Sequence, residues 1–172
     1  MIKNLFFYPF QFIFLVIFQV LILNNIQFSG FVNPFLYLFF IISLPLETPK
    51  WLLMLLSFLI GLSVDIFSGT LGMHASASVF LAFCRPYILN LIAPREGYEV
   101  NQKPSISELG FSWYLTYSAL SVLLHHLFLF FVEVFRFSDF FATLGRVLAS
   151  SLFTLVIILI SQLFFFQSKS GK

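Results

Sequence analysis

Long apolar runs alternate with short polar interruptions along the whole chain. A helix crossing a bilayer needs about 20 mostly apolar residues, because the hydrocarbon core is about 30 Å thick and each helical residue rises about 1.5 Å. Against that length the runs predict six helices, at 5–23, 32–46, 50–68, 72–93, 113–135 and 141–166. The second run is the shortest and is bounded by Pro34 and Pro45. Pro34 after Asn33 suits a helix start, where a missing N–H costs nothing, and so short a run is expected to tilt little or to sit in locally thinned bilayer. The first run, FFYPFQFIFLVIFQVLIL, ends in Asn24 and Asn25 rather than in the small residues of a cleavage site. It reads as a retained helix, not as a secretory signal.

The expected fold class is therefore an all-α integral membrane protein. One transmembrane domain over 1–172 holds about six helices in a compact bundle, with a polar loop at 94–112 too short to bury a core of its own. Composition strengthens this reading, since 60% of residues are hydrophobic and only 9% are charged, against about 25% charged in soluble domains. The 27 Phe residues present more aromatic surface than a soluble chain of 172 residues could hide, so lipid is an expected partner. A formal net charge of +2, with the basic residues scattered, argues against nucleic acid. The single cysteine, Cys84, permits no internal disulfide and no cysteine metal cluster.

Basic residues also orient the chain. With both termini in the cytoplasm, Lys3, Lys50, Arg95, Lys103, Lys169 and Lys172 fall inside, and only Arg136 and Arg146 lie toward the outside. This distribution favours an even number of crossings and counts the second run as one of them. The 94–112 loop then faces the cytoplasm as a solvated connector or a docking surface.

Asp65 is the sharpest anomaly. A charge inside a span costs several kcal/mol unless it faces protein or water. It falls near the end of the third run, where the negative end of the helix dipole opposes it, so a compensating donor is required. Three donors remain open on sequence grounds: the first N–H groups of the fourth helix, brought over the carboxylate by a tight turn at Gly69 and Gly72; Arg146; and His74. Ser57, Gly61 and Asp65 recur every four residues, and Gly72, Ser76, Ser78 and Ala82 continue a small-residue surface on the fourth helix. Small residues let helix backbones approach closely in lipid, so a close-packed hairpin is expected.

Tyr114, Ser118, Ser121 and His125 form a polar stripe on the fifth run, and Arg146, Ser150, Thr154 and Gln162 another on the sixth; both should face the bundle interior. Glu133 and Arg136 are spaced to pair on the helix surface. His126 points about a hundred degrees away from His125, toward a partner or lipid, and Arg85 is expected to snorkel to the cytoplasmic interface. No enzyme is expected. Ser63 or Ser76 could meet His125 only on paper, and GLSVD at 61–65 is not a GxSxG elbow. Three His without Cys or carboxylates at ligand spacing make a poor metal site, and nothing calls for a cofactor.

The pattern of Gly61, Asp65 and Gly72 at a helix hairpin, within NNIQFSGFVNPFLYLFFIISLPLETPKWLLMLLSFLIGLSVDIFSGTLGMHASASVFLAFCRPYILNLIAPREGYE, together with HHLFLFFVEVF, resembles the bacterial rod shape-determining protein MreD family over nearly the whole chain. That resemblance implies a non-enzymatic multi-pass protein of the bacterial cytoplasmic (inner) membrane, within the elongation complex that controls cell shape and lateral peptidoglycan synthesis. It implies an MreC-like single-span protein as the direct partner. The MreB filament, a RodA-type glycosyltransferase and its transpeptidase belong to the wider assembly. MreD-like folds also resemble the substrate-binding subunits of energy-coupling-factor transporters, so the alternative expectation is a small-ligand (vitamin-like) binding subunit. A ligand cup needs polar and aromatic outer loops, and the short outer loops here favour the scaffold.

Overall fold

The structure, a computed structural model, describes residues 2–25, 32–100, 102–134 and 139–165. Among them the regular elements are helices: α1 (Ile2–Leu21), α2 (Leu38–Ser43), α3 (Lys50–Ser68), α4 (Met73–Leu91), α5 (Ile106–Leu109), α6 (Phe111–Val134) and α7 (Phe140–Phe165), with a 3-10 turn at Leu23–Asn25 after α1. Four helical stretches are long and apolar enough to cross a membrane, namely Phe7–Asn25, Lys50–Ser68, Phe111–Val134 and Phe140–Leu163. Their outward faces carry large apolar side chains such as Phe10, Phe58, Phe141 and Leu152, the inside-out arrangement that lipid permits and water does not. A multi-pass membrane protein is the class this defines. α4 is as long as α3, but its His74, Arg85 and Asn90 and its serines make it the less apolar of the two.

The second predicted helix is corrected. In place of a helix over 32–46 there are six helical residues, about 9 Å of helix at about 1.5 Å per residue, with irregular chain on either side. Every residue from 34 to 44 is buried. The segment runs through the centre of the bundle, where its irregular backbone is satisfied by side chains rather than by a helical ladder. Asn33 N–H donates to Ser150 Oγ at 3.0 Å, and Phe35 N–H to Thr154 Oγ1 at 3.0 Å. Gln19 donates to the Pro34 carbonyl at 3.0 Å and accepts from Tyr37 N–H at 3.4 Å. Tyr117 donates to the Ile42 carbonyl at 3.3 Å, and Arg85 to the carbonyls of Leu44 and Pro45. Non-helical backbone at membrane depth persists only under such protection.

These contacts also set directions. Residues 33–37 lie beside Gln19 and Ser43 beside Gln11, so the segment runs opposite to α1. Asn24, just past α1, donates to Ser68 at the end of α3 at 2.8 Å, which makes α1 and α3 parallel neighbours. Tyr37 meets His74 and Leu44 meets Arg85, so α4 follows the segment; Tyr37 meets His125 and Ile42 meets Tyr117, so α6 opposes it.

The connector at 94–112 is tied down at one end. Tyr98 donates its hydroxyl to the Leu89 carbonyl at 2.7 Å and Trp113 donates to the Ile92 carbonyl at 3.0 Å, two of the free carbonyls at the end of α4. Ser105 there is buried, and α5 is a turn that sequence periodicity does not announce. Arg136, Lys169 and Lys172 lie outside the described residues.

Candidate functional site

The turn between α3 and α4 is built by two glycines in the left-handed region, Gly69 at φ 68° and Gly72 at φ 79°, where a side chain would be strained. Folding back this tightly lays the first turn of α4 against α3. Gly61 is the contact point: a β-carbon there would stand 2.6 Å from both Ala75 Cα and the His74 carbonyl oxygen. Asp65, one turn further along the same face, is buried and reaches the open end of α4. Its Oδ1 accepts from His74 N–H at 3.1 Å and from Thr70 Oγ1 at 2.5 Å, and its Oδ2 accepts from Ala75 N–H at 2.8 Å. The carboxylate thereby caps two of the orphan donors of α4 and sits at the positive end of that helix dipole.

Of the three donors open on sequence grounds, the start of α4 holds Asp65. Arg146 does not; its Nη1 donates to Glu133 Oε1 at 3.1 Å, with the guanidinium 4.4 Å over the Phe130 ring. Glu133 thus pairs with Arg146 of the next helix, and the expected Glu133–Arg136 pairing falls on a residue outside the described ones. His74 serves Asp65 through its backbone only, for its ring turns inward.

That ring belongs to a second cluster. Tyr37 Oη lies 3.0 Å from His74 Nδ1 and 2.7 Å from His125 Nε2, so one hydroxyl links α4, the central segment and α6. Phe35 packs edge-on to His74 at 5.0 Å between ring centroids and lies 5.2 Å from His126. His126 is fully buried, contrary to the outward direction expected of it. Its Nδ1 lies 2.8 Å from the Val122 carbonyl, which only accepts, so Nδ1 carries the proton. Nε2 then accepts from Thr154 at 3.1 Å, while Thr154 in turn accepts Phe35 N–H. The helix-spacing argument for His126 fails because α6 is enclosed on more than one side, by α4, by α7 and by the central segment.

Arg85 is likewise corrected. It is 2% exposed and does not snorkel; Nε donates to Tyr117 Oη at 2.5 Å, and the other nitrogens hold the Leu44 and Pro45 carbonyls. A cation at the C-terminal end of α2 complements the dipole and the free carbonyls there. Tyr37, Gln19 and Tyr117 are the polar anchors that sequence reading underweights, whereas Thr154 belongs to the stripe expected to face inward and is fully buried. The available signal was Gln11 and Gln19 in an otherwise apolar run, beside a short segment framed by prolines.

Ser63 and Ser76 donate to the Leu59 and Met73 carbonyls of their own helices, at 2.8 Å each, and neither meets His125. Among the described residues no group of three His, Cys, Asp or Glu side chains is placed to hold a metal ion. What the arrangement does is hold an irregular segment and a tight hairpin in place. Two concavities flank it. One is an apolar groove of about 510 Å³ between α3 and α4, open on the outer side of the bundle. The other is a cavity of about 400 Å³ at the end of the bundle where α3 turns into α4. No family model, no curated protein and no solved structure matches this chain.

Proposed function

We propose that this chain is a non-enzymatic, MreD-like scaffold of the bacterial cytoplasmic membrane that binds an MreC-like single-span protein. Through it the chain would serve the complex of MreB filament, RodA-type glycosyltransferase and transpeptidase that shapes the cell and builds lateral peptidoglycan. On this reading the chain crosses six times, α4 and the broken 33–45 segment included, with both termini in the cytoplasm. The observation that carries it is the α3–α4 hairpin. Its backbones are locked at Gly61 and Asp65, and its outer side presents a groove lined by Met54, Phe58, Leu62, Val79, Phe80 and Phe83. A rigid apolar groove suits a single helix bound by van der Waals packing, the interaction that drives helix association in lipid. Buried charge supports the same reading, because it closes on the chain's own backbone: Asp65 on the first N–H groups of α4, and Arg85 on the Leu44 and Pro45 carbonyls.

Affinity purification from native membranes with identification of co-purifying proteins tests this directly. Recovery of an MreC-like protein is expected, with cysteine cross-links from Phe58, Phe80 and Phe83 positions falling on one partner-helix face at a period near 3.6. Absent or uniform cross-links would remove the groove. The second reading, a small-ligand subunit of a transporter, draws on the cavity of about 400 Å³; it requires paired ATPases in the same purification.

A further inference from the structure

The cavity at the turn end of the bundle is bordered by the ends of α1, α3 and α6 and the starts of α4 and α7. At about 400 Å³ it lies within the roughly 300–1,000 Å³ range of small-molecule sites. Several polar side chains around it are already engaged. Asn24 donates to Ser68 and accepts from Gln19, Asn25 turns back onto the Leu21 carbonyl, and Thr70 serves Asp65.

Three other lining groups keep unused capacity. His74, only 7% exposed, has Nδ1 on Tyr37 and no partner at Nε2 among the described residues. Among the described residues Glu133 engages only Oε1, and Arg146 only Nη1. The Arg146 Nε–H is buried with no acceptor among the described residues. A self-sufficient Arg–carboxylate pair closes fork to fork with two parallel bonds. This one makes a single contact of 3.1 Å and, among the described residues, nothing takes the other edge of either ion.

The free valences are thus one anion, one cation and an imidazole, set against Phe35, Phe67 and Leu129. A purely anionic ligand would meet the Glu133 carboxylate, and a purely cationic one would meet Arg146. A group bearing both charges meets each with its opposite. We infer that this cavity binds a zwitterion, with its phosphate or carboxylate on Arg146, its ammonium on Glu133, and His74 Nε2 bonding beside them. Two sources carry that chemistry: the headgroup of phosphatidylethanolamine at the membrane boundary, and a free amino-acid-like zwitterion in solution. The site is independent of whether the chain acts as a scaffold or as a transporter subunit.

The test uses the purified full chain in nanodiscs of phosphatidylglycerol, with and without phosphatidylethanolamine. Bound lipid is counted by native mass spectrometry, and melting is followed with added glycerophosphoethanolamine or glycine. Selective retention of phosphatidylethanolamine, or a raised melting temperature with the soluble zwitterions, is expected; the first identifies a lipid source and the second a soluble one. The E133Q/R146Q variant keeps a hydrogen bond across the pair without its charges and should lose whichever effect is seen. Equal retention of both lipids with no response to the soluble zwitterions overturns the inference, as does a variant that keeps the native preference. Should the variant fail to fold, the contrasts on the native protein decide alone.

Discussion

Gly61 and Ala75 lie so close that a β-carbon added to Gly61 would sit 2.6 Å from the Ala75 Cα. The contact is backbone against backbone, so no side-chain rotation relieves it.

Gly61→Ala should therefore push α4 off α3 and cost about 1–3 kcal/mol, the usual range for overpacking. The melting temperature in detergent should fall. Gly69→Asn is the comparison: at φ 68° and with nothing within 4 Å of its built β-carbon, it accepts a residue that tolerates left-handed backbone. A Gly61→Ala protein as stable as the parent would mean the hairpin is looser than this.

At Asp65, both oxygens accept, so an amide fits only one side. Asp65→Asn should keep Thr70 and His74 on its oxygen while its NH2 faces the Ala75 N–H, and should be milder than Asp65→Leu, which strands every donor at about 1–3 kcal/mol each. Melting of the two variants side by side checks the order.

Because Arg146 bonds Glu133 and not Asp65, Asp65→Leu and Arg146→Leu should add in a double-mutant cycle to within about 0.5 kcal/mol. Clear non-additivity would restore the pairing that the sequence left open. The Glu133–Arg146 cycle should itself give no more than about 1 kcal/mol, given side chains 36% and 22% exposed.

Arg85→Leu leaves the Leu44 and Pro45 carbonyls and the Tyr117 hydroxyl without their donor, and should destabilise more than Arg85→Lys. Coupling with Tyr117→Phe is expected, since both groups share one network. Additive losses in that cycle would show that Arg85 and Tyr117 act separately.

For orientation, Cys84 is first replaced by alanine. A cysteine at the fully exposed Leu71 should then react with an impermeant thiol reagent from outside, and one at Ser107 should not. Labelling at Ser107 would reverse the orientation.

By itself the sequence determined the solvent, the bounds of the long helices to within a few residues, and the hairpin at Gly69 and Gly72 with a carboxylate in need of donors. These are local properties: hydropathy, length and glycine's access to positive φ are carried by neighbouring residues. Tertiary structure alone decided which donors serve Asp65, that the 32–46 run unwinds to six helical residues, that Arg85 and His126 turn to partners inside the bundle, and that Arg146 takes Glu133. The bonds that settle these matters join distant positions, with Asn33 117 residues from Ser150, Phe35 119 from Thr154 and Leu44 41 from Arg85. A buried polar group must be bonded, and its residue type announces that requirement. The partner depends on which helices pack around it, and no window of sequence contains them both.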